Sequence, residues 1–387
     1  MRVTHVITRL IVGGAQENTV DSVLGLRLKP DLTVDLISGP TTGPEGSLEP
    51  VMQAAGGLTI VRPLVRAIRP VSDLRAYLEL RRLFRSRRPD VVHTHSGKAG
   101  ILGRLAARTA RVPLVVHSIH GPSFGPFQGP LANAVFTAAE RVAGRVTDHF
   151  VTVADAMRDQ YLAAGIGPAE KYTRIFSGFR LEPFLEAVRD AALAERLGIG
   201  PQDFVVGKIA RLFELKGHDD LFAAAPELIR RIPGIRFLLV GDGPWRSRFE
   251  AMAAKGALRG RFLFTGLVPP ESVPSHVALM HCLVHLSRRE GLPRALPQAL
   301  AGGRPVVACD ADGAGEVCRE GETGFLVKPG DVAGLVDRLT RLASDPALRD
   351  RLGAGGRAWV SERFSVRALV DAQHALYLRL AAQRAQP

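Results

Sequence analysis

Two cationic residues stand close together in the second half of the sequence, directly after a short apolar run. Arg211 and Lys216 precede Gly217 in the stretch Gly-Lys-Ile-Ala-Arg-Leu-Phe-Glu-Leu-Lys-Gly-His. A guanidinium offers a planar fork of donors and an ammonium offers a compact charge, so the two together can neutralise a diphosphate. Ligands of doubly wound sheets bind beyond the carboxyl ends of strands, which favours a diphosphate site over the alternative of two exposed cations near a turn.

A second candidate segment begins at Glu290, where another apolar run ends in a glycine turn. Proline suits the first turn of a helix, and we predict that a helix begins at Pro293. Backbone N–H groups at such a helix start can hold a leaving phosphate or sugar hydroxyls. Glu290 can accept hydrogen bonds from a sugar, and Gln298 lies inside the predicted helix, where it can reach a ribose. The alternative for a single glutamate before a helix is a capping or helix-dipole role.

Further candidates lie in the first half of the sequence. Gly13 and Gly14 follow the first predicted strand and open a helix, where glycine allows close backbone approach and the helix N-terminus favours anions; a Gly-Gly turn is equally a common structural device. His120 lies in a loop after another strand and can contact a sugar, the alternative being an incidental loop histidine. His93 and His95 suggest a metal site, which we do not favour because no carboxylate or thiol lies nearby in sequence.

The elements that must position these residues alternate between strand and helix along the whole chain. Alternation of this kind predicts parallel sheets with helices on both faces, and the continuous apolar runs are typical of strands buried on both sides. Predicted strands span 2–7, 33–37, 59–61, 91–94, 114–118, 149–153, 204–210, 237–240, 262–264, 282–286 and 305–308. Predicted helices span 15–28, 71–87, 99–110, 131–146, 219–231, 246–257 and 293–302.

The predicted fold class is α/β, with two Rossmann-like doubly wound domains that face each other across a cleft. The length of 387 residues also favours more than one domain. We assign residues 1–185 to an N-terminal domain and residues 186–365 to a C-terminal domain. A final helix, 366–387, is expected to pack back across to the N-terminal domain.

Composition sets limits on the partners. Hydrophobic residues make up 46% and charged residues 23%, as in ordinary globular proteins. The net charge of +13 favours phosphates, whether in a nucleotide, a nucleic acid or an anionic membrane. Aromatic residues are only 6% and no stacking motif is visible, which argues against nucleic acid. The arginine-rich run 81–88 is either a solvated helix face or a patch for peripheral contact with an anionic membrane.

Location is predicted from what the sequence lacks. No apolar stretch reaches the roughly 18 residues that a spanning helix needs. The N-terminus begins a strand instead of a secretion signal, and the three cysteines show no paired spacing. We therefore expect a cytoplasmic protein, with the inner face of the membrane as an alternative peripheral location.

Taken together, these motifs resemble the retaining glycosyltransferases of family 4, which have the GT-B fold. The resemblance covers nearly the whole chain, and it implies that residues 1–185 form the acceptor-side domain and residues 186–365 the nucleotide-sugar domain. Its most specific part is the stretch from Glu290 to Ala299, with residues 304–308 behind it, which looks like the family's signature of two glutamates separated by seven residues. Supporting matches are Arg211 with Lys216, the segments 240–244 and 264–266, and the segment from Glu316 to Val327.

The resemblance implies a role for each candidate residue. Arg211 and Lys216 bind the donor diphosphate, Glu290 contacts the donor sugar, and His120 reaches that sugar from the N-terminal domain. These four are the expected catalytic residues. The remaining donor-binding residues are expected to be Gly14, Gly241, Gly266, Gly291, Leu292, Pro293 and Gln298. The family uses a nucleotide sugar as co-substrate and needs neither a cofactor nor a metal for the transfer.

The sequence departs from the family pattern at Gln298, which replaces the second signature glutamate. An amide oxygen can still accept a ribose hydrogen bond, but a neutral bond contributes about 1 kcal/mol against roughly 1.5–3 for a charged one. The neighbouring Pro297 is expected to remove a helix N–H donor. Both changes bear on which donor is used more than on the class of enzyme.

The predicted function is retaining transfer of a hexose or N-acetylhexosamine from a nucleotide diphosphate sugar, UDP-linked by preference, to a hydroxyl acceptor in polysaccharide or glycoconjugate synthesis. The alternatives are a sugar-nucleotide epimerase or a phosphorylase on the same architecture, and a non-catalytic nucleotide-sugar binding protein. The acceptor is unknown, because the segments expected to contact it, 37–57 and 121–130, carry no readable pattern.

Overall fold

The computed structural model describes residues 1–43, 46–125 and 128–385. The chain divides into two compact units. Unit 1 consists of Met1–Gly178 with Val366–Pro387, and unit 2 consists of Phe179–Ser365. Residues 44–45 and 126–127 of the expected acceptor segments, and the last two residues of the chain, lie outside the described residues.

Unit 1 is built on a parallel sheet that, over its described residues, has seven strands in the order β3-β2-β1-β4-β5-β6-β7. The strands are β1 (Arg2–Ile7), β2 (Thr33–Ser38), β3 (Leu58–Ile60), β4 (Val91–His95), β5 (Leu114–Ile119), β6 (His149–Thr152) and β7 (Tyr172–Arg174). The helices are α1 (Gly14–Leu26), α2 (Glu49–Ala54), α3 (Pro70–Arg87), α4 (Gly97–Thr109), α5 (Pro130–Arg145) and α6 (Asp155–Ala163).

Both faces of this sheet are buried, and side chains that alternate along a strand enter two separate cores. In β1, Val3 and Ile7 pack into one core and Val6 packs into the other. The second core also takes Leu80 and Phe84 from α3. Two-sided burial explains why these strands read as continuous apolar runs in the sequence.

Unit 2 repeats the plan with a parallel sheet of six strands among its residues, in the order β10-β9-β8-β11-β12-β13. The strands are β8 (Phe204–Ile209), β9 (Ile235–Val240), β10 (Phe262–Gly266), β11 (Cys282–His285), β12 (Val306–Cys309) and β13 (Gly324–Val327). The helices are α7 (Glu182–Leu185), α8 (Ala191–Arg196), α9 (His218–Arg231), α10 (Arg246–Ala253), α11 (Val273–Leu279), α12 (Ala295–Ala301), α13 (Val332–Ser344) and α14 (Pro346–Arg363).

The terminal helix α15 (Val366–Ala385) belongs to unit 1, although unit 2 separates it from the rest of that unit in the chain. It packs against α1. Leu369, Leu376 and Tyr377 are buried in the same core as Val3 and Ile7. An ion pair of 2.6 Å between Lys29 Nζ and Asp371 Oδ1 ties its outer face to the segment after α1. The 20-residue helix α15 is therefore part of the fold of unit 1.

The prediction of an α/β protein with two Rossmann-like doubly wound units is confirmed, and several details differ. The units divide between Gly178 and Phe179, earlier than residue 185, because α7 packs against α11 and α12 of unit 2. The short strands β7 and β13 were not predicted as strands. Helix α12 begins at Ala295, two residues after the predicted start at Pro293. In the described part of the chain, no helix is both long and apolar enough to cross a membrane.

Candidate functional site

The sheet of unit 2 reverses its winding between β8 and β11, which are neighbours although they are far apart in sequence. In open α/β sheets this switch point is where loops from neighbouring strands diverge and leave room for a ligand. Arg211 and Lys216 follow β8, and Glu290 follows β11. Gly241 follows β9 and Gly266 ends β10, so these residues lie at the same carboxyl edge of the sheet.

The loops after β8 and β11 are joined by an ion pair. Lys216 Nζ donates to Glu290 Oε1, and the two side chains remain 24% and 26% exposed. The backbones also meet, because the N–H of Arg288 donates to the carbonyl of Leu215 at 2.8 Å. A cation and a carboxylate that are partly accessible to solvent are thus held together at the switch point, where each can exchange its partner for a ligand.

Gly217 makes this contact possible. Its φ is +66°, and an added Cβ would lie only 2.0 Å from the carbonyl oxygen of Leu286. A side chain here would meet both a backbone clash and an unfavourable left-handed conformation. Glycine therefore allows the loop that carries Lys216 to press against the end of β11.

Arg211 is exposed and stacks with its guanidinium carbon 5.2 Å from the ring centre of Phe213. The loop that begins at Gly241 supports this segment, since the N–H of Leu212 donates to the carbonyl of Asp242 at 3.0 Å. Gly241 has a φ of +134°, and a Cβ there would lie 2.4 Å from the carbonyl oxygen of Ala210. The backbone that carries Arg211 is therefore held in place by its contacts with the loop that begins at Gly241.

The Glu290 segment leads into α12 through Gly291, Leu292 and Pro293. The N–H of Glu290 donates to Asp312 Oδ2 at 2.8 Å, which fixes the backbone at this carboxylate. Gln298 lies within α12 and is half-buried. Pro297 lies in the first turn of α12, where N–H groups have no partner within the helix, so the N–H donor that proline lacks costs no helix hydrogen bond.

Sequence reasoning gave no role to a group of buried nitrogens behind the ion pair. Lys208, on β8, is 1% exposed, and its Nζ has no hydrogen-bond partner among the described residues. Burial, with a smaller contribution from the charge of Lys216, lowers the pKa of Lys208 to about 7. His285 Nε2 lies 3.9 Å from Glu290 Oε1, and burial holds the pKa of His285 well below its usual value. A lysine inside an otherwise apolar buried strand was the sequence signal that would have identified this group.

The other two predicted residues lie in unit 1. Gly14 is the first residue of α1 and is exposed, and the N–H of Glu17 donates to the carbonyl of Gly13 at 2.9 Å. His120 directly follows β5. Its Nε2 is 3.0 Å from His95 Nδ1, and its Nδ1 is buried without a hydrogen-bond partner among the described residues. Burial lowers the pKa of His120 to about 4.

A group of three histidines is the place in the described chain where metal-ligating side chains converge. His5 on β1 joins His93 and His95 on β4, and one ring nitrogen of each lies within 4.8 Å of the others. The sequence pointed to the last two, but His5 is remote in the chain and was not considered. The rings already hydrogen-bond to one another, with His5 Nδ1 2.9 Å from His95 Nε2. The absence of a metal requirement stays a prediction that metal analysis of the purified protein can test.

Comparison with known proteins agrees with this arrangement of two units. Residues 13–178 match the family described as "Glycosyl transferase 4-like domain". Residues 190–359 match the family described as "Glycosyl transferases group 1". The chain belongs to the glycosyltransferases that combine these two domains, and it is an enzyme that uses a nucleotide-sugar donor.

Individual relatives are similar over most of their length. The chain is 31% identical over 297 residues to alpha-D-kanosaminyltransferase of Streptomyces kanamyceticus, covering 74% of this chain and 76% of the relative. It is 28% identical over 322 residues to UDP-Gal:alpha-D-GlcNAc-diphosphoundecaprenol alpha-1,3-galactosyltransferase of Escherichia coli, covering 82% of each. The crystal structure of Anabaena HepE in complex with UDP superposes with a TM-score of 0.81 at 22% identity, covering 98% of this chain and 100% of that one, a likeness that shows the GT-B fold.

Proposed function

We propose that the enzyme is a retaining glycosyltransferase that moves a hexose or N-acetylhexosamine from a UDP-linked donor to a hydroxyl acceptor. The observation that carries the proposal is the Lys216–Glu290 pair at the switch point of unit 2, with Arg211 on the neighbouring part of the same loop. Support for UDP comes from the Escherichia coli relative, whose name specifies UDP-Gal, and from HepE, which was crystallised with UDP.

The proposed chemistry depends on charge that develops on the leaving diphosphate. As the bond to the anomeric carbon breaks, negative charge grows on the phosphate oxygens, where Lys216 and Arg211 stabilise it. Lys216 leaves Glu290 as the donor binds, which frees the carboxylate of Glu290 to accept hydrogen bonds from the sugar hydroxyls. The diphosphate also favours the charged form of Lys208, whose amine is buried behind the pair.

Gln298 is proposed to bind the donor ribose through a neutral hydrogen bond. The family's glutamate would form a charge-assisted bond in its place, and such bonds are roughly twice as strong. The proposed donor site is therefore weaker at the ribose and depends more on Arg211 and Lys216. Gly14, Gly241, Gly266 and the 291–293 segment are proposed to contribute backbone contacts.

We also propose that α3 attaches the enzyme to an anionic membrane surface. Val71, Leu74, Leu78, Arg82 and Arg85 recur every three or four residues and so form one stripe along the helix. The three apolar side chains are 67%, 59% and 48% exposed. The core-facing side of the helix holds different residues, including Leu80 and Phe84. A helix with apolar and basic residues on one exposed stripe suits the boundary between lipid headgroups and acyl chains.

The transfer reaction is tested by incubating the protein with UDP-glucose, UDP-galactose, UDP-N-acetylglucosamine and GDP-mannose, with and without hydroxyl acceptors of several classes. We expect release of the nucleoside diphosphate from a UDP-linked donor to rise when an acceptor is added. The product should keep the anomeric configuration of the donor, as read by NMR. An inverted product would refute retention.

Two other results would replace the proposal. Conversion of one UDP-sugar into another without an acceptor would identify an epimerase. Binding without turnover on any acceptor or water, seen as a rise in melting temperature with no nucleotide release, would identify a binding protein.

Membrane attachment is tested by sedimentation with phosphatidylglycerol vesicles. Each arginine near an anionic surface contributes about 1 kcal/mol, so Arg82→Gln with Arg85→Gln is expected to weaken binding by more than about tenfold. Leu74→Ser with Leu78→Ser should weaken it as well, whereas Leu28→Ser, which changes an isolated leucine that is 84% exposed, should not. Equal binding by all variants, or equal binding to uncharged phosphatidylcholine vesicles, would refute the attachment.

A further inference from the structure

Four histidines of unit 1, together with Tyr377 and Ser118, form one continuous chain of hydrogen bonds that ends at His120. His120 Nε2 is 3.0 Å from His95 Nδ1, and His95 Nε2 is 2.9 Å from His5 Nδ1. His5 Nε2 is 3.4 Å from the hydroxyl of Tyr377, which is 2.5 Å from His93 Nδ1. His93 Nε2 is 2.8 Å from Ser118 Oγ, which is the far end of this chain of hydrogen bonds.

The fold explains why these side chains meet. His93 and His95 are two residues apart on β4 and therefore point to the same face of the sheet. His5 pairs with His93 in the neighbouring strand β1, and Ser118 pairs with His95 in β5. Tyr377 approaches from α15, and its ring lies edge-on at 5.8 Å from His93.

Burial keeps the histidines of this chain neutral. His5, His93 and His95 are 0% exposed, and desolvation lowers the pKa of His5 to about 3 and those of His93 and His95 well below the usual value. The other titratable groups that act on them are His117, His149 and the guanidinium of Arg27. A neutral imidazole has one N–H donor and one acceptor nitrogen. A ring that accepts a hydrogen bond from one neighbour must therefore donate to the other.

Three arrangements satisfy every internal link, and all contain the same number of protons, because the hydroxyl oxygen of Tyr377 can accept one hydrogen bond or two. In the first, Ser118 donates to His93 and each group donates onward, so all four histidines carry the proton on Nδ1 and the Nδ1–H of His120 has no partner within the hydrogen-bond chain. In the second, every link is reversed, His120 Nδ1 becomes an acceptor, and the hydroxyl hydrogen of Ser118 has no acceptor. In the third, Tyr377 accepts from both His93 and His5, so its own hydroxyl hydrogen has no acceptor and His120 Nδ1 is again an acceptor. Ser118 is 2% exposed, and the structure shows His93 as the hydrogen-bond partner of its side chain within the described residues.

A bound ligand stabilises the first arrangement relative to the others, because it pairs the one donor that this arrangement leaves unsatisfied. A buried donor without an acceptor loses its hydrogen bond to water and gains none in return, so an arrangement that leaves such a donor is disfavoured. The first state leaves such a donor only at His120 Nδ1, where the oxygen of a bound sugar can accept it. The second state leaves it at Ser118 and the third leaves it at the hydroxyl of Tyr377; both side chains are buried, and among the described residues neither has an acceptor other than the histidines of this hydrogen-bond chain.

We propose that His5, His93, His95, Ser118 and Tyr377 are positioning residues that set His120 as an Nδ1–H donor toward a ligand oxygen. The inference rests on the proposed function only in taking that oxygen to belong to the donor sugar. Because the direction of donation in the first arrangement is the same at every link of the hydrogen-bond chain, the hydroxyl of Tyr377 on α15 determines the tautomer of His120 without contacting it.

The test is NMR of the protein with isotope-labelled histidine ring nitrogens, which separates protonated from unprotonated nitrogens in each ring. At neutral pH the protein saturated with the UDP-linked sugar that raises its melting temperature most is expected to show His5, His93, His95 and His120 all protonated at Nδ1. Tyr377→Phe keeps the ring but removes the central link. It is expected to shift the resonances of His120 toward a mixture of the two tautomers, while the melting temperature reports that the protein remains folded.

Tyr172→Phe is the matched control, since this hydroxyl also lies in unit 1 but binds the carbonyl of Ile166 instead of a histidine. It should leave all four histidines unchanged. Protonation of His120 at Nε2, or identical His120 resonances in the intact protein and in Tyr377→Phe, would overturn the proposal. Stoichiometric metal bound at His5, His93 and His95 would overturn it as well. These spectra need a bound sugar nucleotide but no turnover, so failure of the transfer assay and failure of this inference are separate results.

Discussion

Lys216→Ala is expected to lower the catalytic efficiency of donor turnover by about 10²–10³-fold, the usual cost of removing one group that stabilises charge in the transition state. The substitution removes the ammonium that pairs with Glu290 at the switch point of unit 2. It also leaves the carboxylate of Glu290 without a partner and facing the incoming diphosphate. Both effects disfavour the departure of an anionic leaving group. Release of nucleoside diphosphate, measured over a range of donor concentrations, gives kcat and KM separately.

The matched control is Lys255→Ala, which removes an exposed lysine from the same unit. It should leave turnover within about twofold of the intact enzyme, because isolated exposed charges contribute little. Glu290→Ala is expected to lower turnover as well. Since Lys216 and Glu290 are in direct contact, the double variant should lose less than the product of the two single losses. Additive losses would mean that the Glu290 carboxylate left unpaired in Lys216→Ala does not act on the incoming diphosphate, and unchanged turnover in Lys216→Ala would remove this residue from the site.

Arg104→Met is expected to lower the free energy of unfolding of unit 1 by about 3–5 kcal/mol, the cost of leaving a buried charge without its partner. Arg104 Nη2 lies 2.6 Å from Glu140 Oε2, and the two side chains are 0% and 1% exposed. Arg104 also donates to the carbonyl of Gly100 at 2.7 Å, while Ser123 Oγ donates to the other carboxylate oxygen at 2.8 Å. The pair thus links α4, α5 and the loop after His120.

The chain provides its own reporters for this experiment. All four tyrosines lie in unit 1 and both tryptophans lie in unit 2. Urea unfolding followed by tyrosine absorbance therefore reports unit 1, and tryptophan fluorescence provides a reference from unit 2. Arg104→Met with Glu140→Leu should recover much of the loss, because an apolar pair of similar volume removes the unpaired charge.

An exposed pair in the same unit serves as the comparison. Lys29→Met breaks the ion pair with Asp371, in which the side chains of Lys29 and Asp371 are 28% and 48% exposed. This substitution should lower the free energy of unfolding by no more than about 1 kcal/mol. A loss in Arg104→Met as small as that of Lys29→Met would show that the buried pair does not hold the two helices together.

The positions of the site residues followed from the order of elements. A cation or carboxylate directly after a buried parallel strand must lie at the carboxyl edge of the sheet, so Arg211, Lys216 and Glu290 could be placed from their neighbours alone. Continuous apolar runs located the central strands within one or two residues. Sequence also identified the class of enzyme, because the segment from Glu290 to Ala299 carries residue types at a fixed spacing.

What remained hidden depends on contacts between distant parts of the chain. The hydrogen bond between His5 and His95 joins strands that are neighbours only after folding, and Tyr377 comes from the last helix of the chain. Lys208 lies inside the predicted strand 204–210, but only the folded structure shows that its amine is buried without a hydrogen-bond partner among the described residues. The boundary between units depends on which sheet α7 packs against, which local patterning does not reveal.

The most direct measurement is a crystal structure of the protein grown with UDP. The account predicts that diphosphate oxygens lie within hydrogen-bonding distance of the Arg211 guanidinium and of Lys216 Nζ, and that Lys216 has moved away from Glu290. A well-defined UDP whose phosphates touch neither cation, with the Lys216–Glu290 pair intact, would contradict it.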